Sequence, residues 1–355
     1  MKKNSFCGLA FALFAATLSS LVACNNVEKK PEQSKLSIVT TIYPEFAWAK
    51  EILGARADSV DLTLLIKNGV DLHSYKPTAQ DITKIANADM IIYVGGESDE
   101  WIKDALEATP KKGRSEINLM ATLGDRVKAE EVIEGMQAEH EEHHHHGEHA
   151  EEHEHEHHGE HAEAHEHHHH DHEEEVENDE HVWLSLKNAE ILVQKITSEL
   201  AKIDPTSASF YTKNANTYVA KLQSLDNKYR ATVDSAARKT ILFGDRFPFR
   251  YMVDDYGLKY YAAFVGCSAE SEASFETIAF LANKMDSDSL PAIFTIEKGN
   301  KKIATAILAA SKNSKEAQIL TINSMQSVTE QQIADGLDYL SIMQTNLDVL
   351  KKALK

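Results

Sequence analysis

Three cysteines in 355 residues are too few for a disulfide framework, and two of them, Cys7 and Cys24, fall within the first 24 residues. Lysine and arginine are missing altogether between Lys128 and Lys187. No stretch reads as a nucleophile elbow, a phosphate-binding glycine loop or a zinc-protease helix motif, which argues against the common hydrolase and nucleotide-binding classes. The apolar run Phe6–Leu18 is too short for a comfortable membrane span. Histidine is almost absent from the body of the chain: 17 of 19 lie between Glu139 and Glu180, and only His73 and His181 stand outside. That same tract carries 18 acids and no base, so it accounts for nearly all of the net charge of −19. The remainder is close to neutral and gives no reason to expect a nucleic-acid partner.

What is present begins with an address. Lys2 and Lys3 precede the apolar run, and Ser19-Ser20-Leu21-Val22-Ala23-Cys24 follows it. The order reads as a secretory signal over residues 1–23. The small residues before Cys24 resemble a bacterial lipobox. That resemblance implies cleavage before Cys24, lipidation of its thiol and a polar tether over 24–35. The exported chain would then be anchored at the cell membrane or its periplasmic face, with Cys267 as its one free thiol.

The histidine tract, with His143, His144, His145, His146 and His167, His168, His169, His170 as its densest clusters, reads as a metal handler. It is too polar to pack a core and is expected to be disordered without metal.

Apolar content of 42% supports real cores on either side of this insert. In the first part, strand-like runs at Leu36–Thr41, Val60–Ile66 and Met90–Val94 alternate with helical spacing at Pro44–Leu53, Ile82–Ala88 and Glu100–Ala108. In the second, strands at Thr240–Phe243, Tyr260–Val265, Ala292–Glu297 and Gln318–Ile322 alternate with helices near Phe247, Phe275–Met285, Lys301–Ala310 and Glu330–Leu354. Such alternation predicts an α/β fold, with two lobes each built on a mostly parallel sheet flanked by helices. Between them Tyr211, Ala215, Tyr218, Leu222, Leu225 and Tyr229 recur at helical spacing, unbroken by Gly or Pro until Gly244. This predicts one long rigid helix joining the lobes. The expected organisation is an N-terminal lobe over 36–205 with the insert 139–180, a linker helix over 206–238 and a C-terminal lobe over 239–355. Rigidity of the linker predicts small opening motions.

His73 lies in a strand-to-helix loop, Gly69-Val70-Asp71-Leu72-His73-Ser74-Tyr75-Lys76-Pro77. His181 opens a helix in Glu180-His181-Val182-Trp183-Leu184-Ser185, where Asp179 or Glu180 can cap the helix or orient the imidazole. These two motifs, with Ala88-Asp89 and Glu100-Trp101 between them, resemble the metal-binding class of ABC-transporter solute-binding lipoproteins. The zinc-uptake members, with a His-rich loop just before the second motif, are the most similar. The resemblance covers roughly residues 36–350. It implies Zn2+ as cargo held between the lobes, His73 and His181 as the first two ligands, an ABC permease and its ATPase as partners, a monomer, and no enzymatic activity.

The family's third ligand falls at Gly244, which has no side chain, and its last falls within Thr321–Met325, which offers neither acid nor histidine. The rest of the shell must therefore come from elsewhere. Cys267 follows an apolar strand and would supply a soft thiolate. Asp245, which Arg246 can instead engage, Glu272 at a helix start and Glu297 at a strand end remain open as alternatives. The tract is expected to capture metal weakly at many sites and pass it to the cleft, or else to be a solvated spacer. A manganese receptor of the same class, a surface metal-storage or adhesion protein, and a metal-dependent hydrolase are the competing readings. Nickel or copper could bind the tract without being cargo.

Overall fold

A computed structural model describes residues 35–137, 177–268 and 271–355. The anchor residue Cys24 and the tract histidines, including His143–His146 and His167–His170, lie outside the described residues. The first part of the chain contributes strands β1 (Ser37–Thr40), β2 (Asp61–Leu64), β3 (Met90–Tyr93) and β4 (Ser115–Asn118). Helices α1 (Tyr43–Leu53), α2 (Ala79–Asn87), α3 (Trp101–Ala108), α4 (Leu119–Leu123) and α5 (Leu186–Ile203) surround them. Helix α6 (Ala208–Asp234) follows. The second part contributes β5 (Thr240–Phe247), β6 (Lys259–Val265), β7 (Ala292–Ile296) and β8 (Gln318–Ile322). With these go α7 (Arg250–Tyr256), α8 (Phe275–Ser287), α9 (Lys302–Ala310), α10 (Glu330–Ala334) and α11 (Tyr339–Ala353).

Each set of strands forms a four-stranded, all-parallel sheet, ordered β2-β1-β3-β4 and β6-β5-β7-β8. Central strands β3 and β7 are buried at every residue, in keeping with sequences that are apolar throughout apart from Thr295. In parallel sheets all carboxyl ends point one way, and ligand-binding loops collect there. The loops after β2, β6 and β8 are the ones that carry His73, Cys267 and Gln326.

Helix α6 has 27 residues, about 40 Å at 1.5 Å per residue. It packs against α5, α1 and α11. Its buried stripe is Tyr211, Ala215, Tyr218, Leu222, Leu225, Tyr229 and Val233, the pattern expected from the sequence. Tyr229 and Tyr339 are fully buried, and each satisfies its hydroxyl by donating to a backbone carbonyl, of Met343 and Trp183 respectively.

Several boundaries differ from the sequence expectation for local reasons. Helix α2 begins at Ala79, before Ile82, because Thr78 and Asp81 form a capping box. Strand β4, Ser-Glu-Ile-Asn, has one apolar residue and gave no signal. The helix expected to follow His181 directly starts at Leu186, capped by Ser185, with a tight 3-10 turn at Val182–Leu184 before it. Strand β5 runs past Gly244 to Phe247, with a register shift between Phe243 and Arg246. The last helix is broken. Gly336 at φ 90° ends its first segment, and Asp338 caps a new start at Tyr339. The Thr329–Gln332 capping box opens α10 as the sequence indicated.

Candidate metal centre

His73 sits on a 3-10 turn, Leu72–Ser74, beyond the carboxyl end of β2. Asp71 holds the turn by accepting from the His73 backbone N–H at 3.2 Å. The ring's Nδ1 is hydrogen-bonded with Ser98 Oγ at 2.6 Å. His181, fully buried, donates Nδ1–H to Asp179 Oδ1 at 3.0 Å, and the same oxygen accepts the His181 backbone N–H at 2.8 Å. The carboxylate partner makes Nδ1 of His181 the donor, which leaves its Nε2 with a lone pair for a cation.

The two Nε2 atoms face each other at 3.3 Å. Zinc–nitrogen bonds of 2.0–2.1 Å at a tetrahedral angle place two nitrogens roughly 3.3 Å apart. One edge of a zinc tetrahedron is therefore already set. Burial, and then the neighbouring His181 ring, hold His73 well below the usual histidine range, so its lone pair stays available into acid.

Cys267 lies just past the carboxyl end of β6. Its ligand atom and those of His73 and His181 all fall within 4.8 Å of one another, and among the described residues these three are the group able to hold a metal ion. Burial pushes the thiol up strongly, with the Glu130, Glu180 and Asp179 carboxylates adding to it. Glu130 accepts the Cys267 backbone N–H at 3.0 Å. Gly266 is small of necessity. A Cβ there would come within 3.0 Å of His181 Cε1 and of the Phe247 carbonyl oxygen.

A cavity of about 280 Å3 opens beside the three ligands. Glu97, Glu130, Glu177 and Glu180 line it with His73 and Cys267, and their negative charge favours a cation. Glu177, which belongs to the acidic tract, is among the residues that line this cavity. Glu180 is 3% exposed, with one oxygen accepting from Ser98 N–H at 2.8 Å and the other, Oε2, without a hydrogen-bond partner and 3.8 Å from His73 Nδ1.

The remaining candidates are engaged elsewhere. Asp245 is not part of the group. Its carboxylate accepts backbone N–H groups of Ile296 (3.1 Å) and Arg246 (2.9 Å). Arg246 does not take the Asp245 carboxylate. It reaches the other lobe and pairs with Asp71, whose carboxyl it holds low although burial acts the other way. Glu272 is exposed and lines a separate cavity of about 810 Å3 with Gly135 and Phe280. Glu297 accepts from Ser324 N–H (2.8 Å), Ser324 Oγ (2.9 Å) and Ser327 Oγ, and so braces the loop after β8. At Gly244 a Cβ would stand 2.6 Å from Ala304 Cα, so helix α9 fills the space a ligand side chain would need.

Gln326, buried in the braced loop after β8, gave no sequence signal. Its Nε2 lies 3.0 Å from His73 Nε2 and 2.9 Å from His181 Nε2. Ser98 and Glu130 were likewise unmarked, since nothing local distinguishes them from surface polar residues.

The family described as zinc-uptake complex component A, periplasmic, matches residues 38–353. The zinc-binding lipoprotein AdcA of Streptococcus pneumoniae is 32% identical over 347 residues, 96% of this chain and 60% of AdcA, so the chain spans about 60% of that relative's length. The high-affinity zinc uptake system protein ZnuA of Bacillus subtilis is 32% identical over 346 residues, 96% of either chain. The Zn(II)-bound ZnuA-like domain of Streptococcus pneumoniae AdcA superposes with a TM-score of 0.64 at 27% identity, covering 90% of this chain and 99% of that one. The metal-dependent lipoprotein YcdH of Bacillus subtilis does so with a TM-score of 0.66 at 27% identity, covering 90% and 100%.

Proposed function

The chain belongs to the zinc-uptake complex component A family, and from that premise we propose that it is the extracytoplasmic receptor of an ABC transporter, capturing Zn2+ between its lobes and delivering it to a membrane permease and ATPase. The observation that carries this reading is the pair of Nε2 atoms 3.3 Å apart, with Cys267 beside them. Two neutral imidazoles and a thiolate form a soft, nitrogen- and sulfur-rich set, which favours zinc over the harder manganese ion. The protein catalyses no reaction in this account. It binds and releases cargo, as a monomer tethered through lipidated Cys24.

The histidine tract supplies the cleft in this reading. Many weak sites raise local zinc near the acidic cavity that Glu177, itself a tract residue, lines. Zinc uptake under zinc limitation tests both parts. His73→Ala should abolish uptake, and deletion of residues 139–175 should slow it at low zinc only. Unchanged uptake in the deletion strain would remove the capture role, and unchanged uptake in the His73→Ala strain would remove the receptor role.

A further inference from the structure

We propose that Glu180 is a positioning residue for His73: it keeps one carboxylate oxygen in reserve for the imidazole Nδ1–H and so selects the tautomer that turns Nε2 to zinc. The inference rests on the zinc-receptor reading above. It adds a residue that does not touch the cation and yet sets how tightly it is held.

Two partners meet at His73 Nδ1. Ser98 Oγ is 2.6 Å away and Glu180 Oε2 is 3.8 Å away. A hydroxyl donates or accepts, so Ser98 serves either tautomer of the ring. A carboxylate only accepts, so it favours the tautomer with the proton on Nδ1. That tautomer alone leaves a lone pair on Nε2, the atom that faces His181 Nε2 at 3.3 Å. Ser98 by itself leaves the choice open, and Glu180 decides it.

Glu180 is placed for a partner that arrives late. It is 3% exposed, and its Oε1 accepts the Ser98 backbone N–H at 2.8 Å. Its Oε2 is buried with no hydrogen-bond partner. A buried carboxylate oxygen in that state is costly unless something recovers the cost. Gly96 makes room for the group, since a Cβ there would stand 2.2 Å from Oε1. Zinc on Nε2 draws electron density out of the ring and makes Nδ1–H a stronger donor. A charge-assisted N–H···O bond is about 2.8 Å long, so ring and carboxylate need to close by only about 1 Å.

The preceding residue already does this for the other ring. Asp179 Oδ1 takes Nδ1–H of His181 at 3.0 Å. Consecutive acids therefore face different imidazoles: Asp179 serves its near neighbour, and Glu180 reaches across to the β2 loop. Each zinc-binding ring then has a carboxylate at its far nitrogen, one engaged in advance and one engaged by the cation.

The test uses cobalt(II) as a spectroscopic probe on the full chain. The thiolate-to-cobalt absorption that Cys267→Ser removes reports the cleft apart from the histidine tract, and zinc displacement of that band reads zinc affinity. Glu180→Gln keeps an oxygen for the Ser98 N–H and loses the charge. It should weaken zinc by about tenfold to a hundredfold and leave the ligand-field bands of bound cobalt in place. Its urea midpoint in chelator should stay level or rise, because an unpartnered buried charge is gone. Ser98→Ala, which keeps the carboxylate, should weaken zinc less. Unchanged zinc affinity in Glu180→Gln beside a normal cobalt band would overturn the Glu180 role alone. A lowered urea midpoint in that variant would make Glu180 a brace of the fold and overturn the role as well. If the unaltered chain gives no Cys267-dependent band, the receptor reading fails first and the Glu180 role falls with it.

Discussion

Trp183 donates its indole N–H to the carbonyl of Ser324, 141 positions later, at 2.9 Å. One bond thus ties the His181 motif to the loop that carries Gln326. Both residues are buried, so neither group has water as a substitute. Trp183→Phe keeps the ring against His181 and leaves the Ser324 oxygen unpartnered. It should destabilise the fold by about 1–3 kcal/mol and weaken zinc binding without changing its stoichiometry. Urea unfolding and zinc titration on the same variant check both effects.

Cys267 should govern the protons that zinc displaces. Burial and nearby carboxylates push its thiol up, so it is protonated without metal across the physiological range. His73 is held low by burial and by His181, and is already neutral there. Binding at neutral pH should therefore release about one proton per zinc at the cleft, and affinity should rise about tenfold per pH unit. Calorimetry in buffers of different ionisation heat measures the count. In Cys267→Ser the release should vanish and the pH slope flatten.

Gly244 should behave as a packing position. Its added Cβ would press on the Ala304 backbone, so Gly244→Ala should cost about 1–3 kcal/mol of stability while the ligand atoms keep their places. Gly244→His should destabilise further and gain no zinc affinity, because α9 occupies the path to the cleft. Thermal unfolding with and without zinc separates these outcomes.

Asp99 gives the fold a pH signature. Burial raises its carboxyl to about 7, with Glu180 adding, although the Val94 and Gly95 N–H groups oppose the shift. A carboxyl raised in the fold favours its neutral form. Its stabilising contribution is full below the unfolded value near 4 and is lost as pH rises through 7. Asp99→Asn should therefore flatten the dependence of unfolding free energy on pH between about 4 and 7, measured by urea melts in chelator.

The parallel sheets were legible because β3 and β7 are apolar at nearly every position, and α6 because its stripe holds one period for about six turns. His73 and His181 were singled out through the resemblance of their motifs to the family's, and Cys267 because it follows a readable apolar strand. Strand β4 was not, being half polar, and the break at Gly336 looked like a tolerable helical glycine. Asp245 misled because it neighbours the expected ligand position. The register shift in β5 and the two backbone N–H groups it accepts are tertiary facts with no local signature. Gln326 was invisible for the same reason, since only the β8 loop's bracing by Glu297 brings a plain amide to two imidazoles.

Anomalous diffraction at the zinc edge from crystals of the zinc-loaded chain tests the central claim most directly. The account predicts a peak bonded to Nε2 of His73, Nε2 of His181 and Sγ of Cys267. Zinc found only elsewhere, with the gap between the two imidazoles still bridged by Gln326, would contradict it.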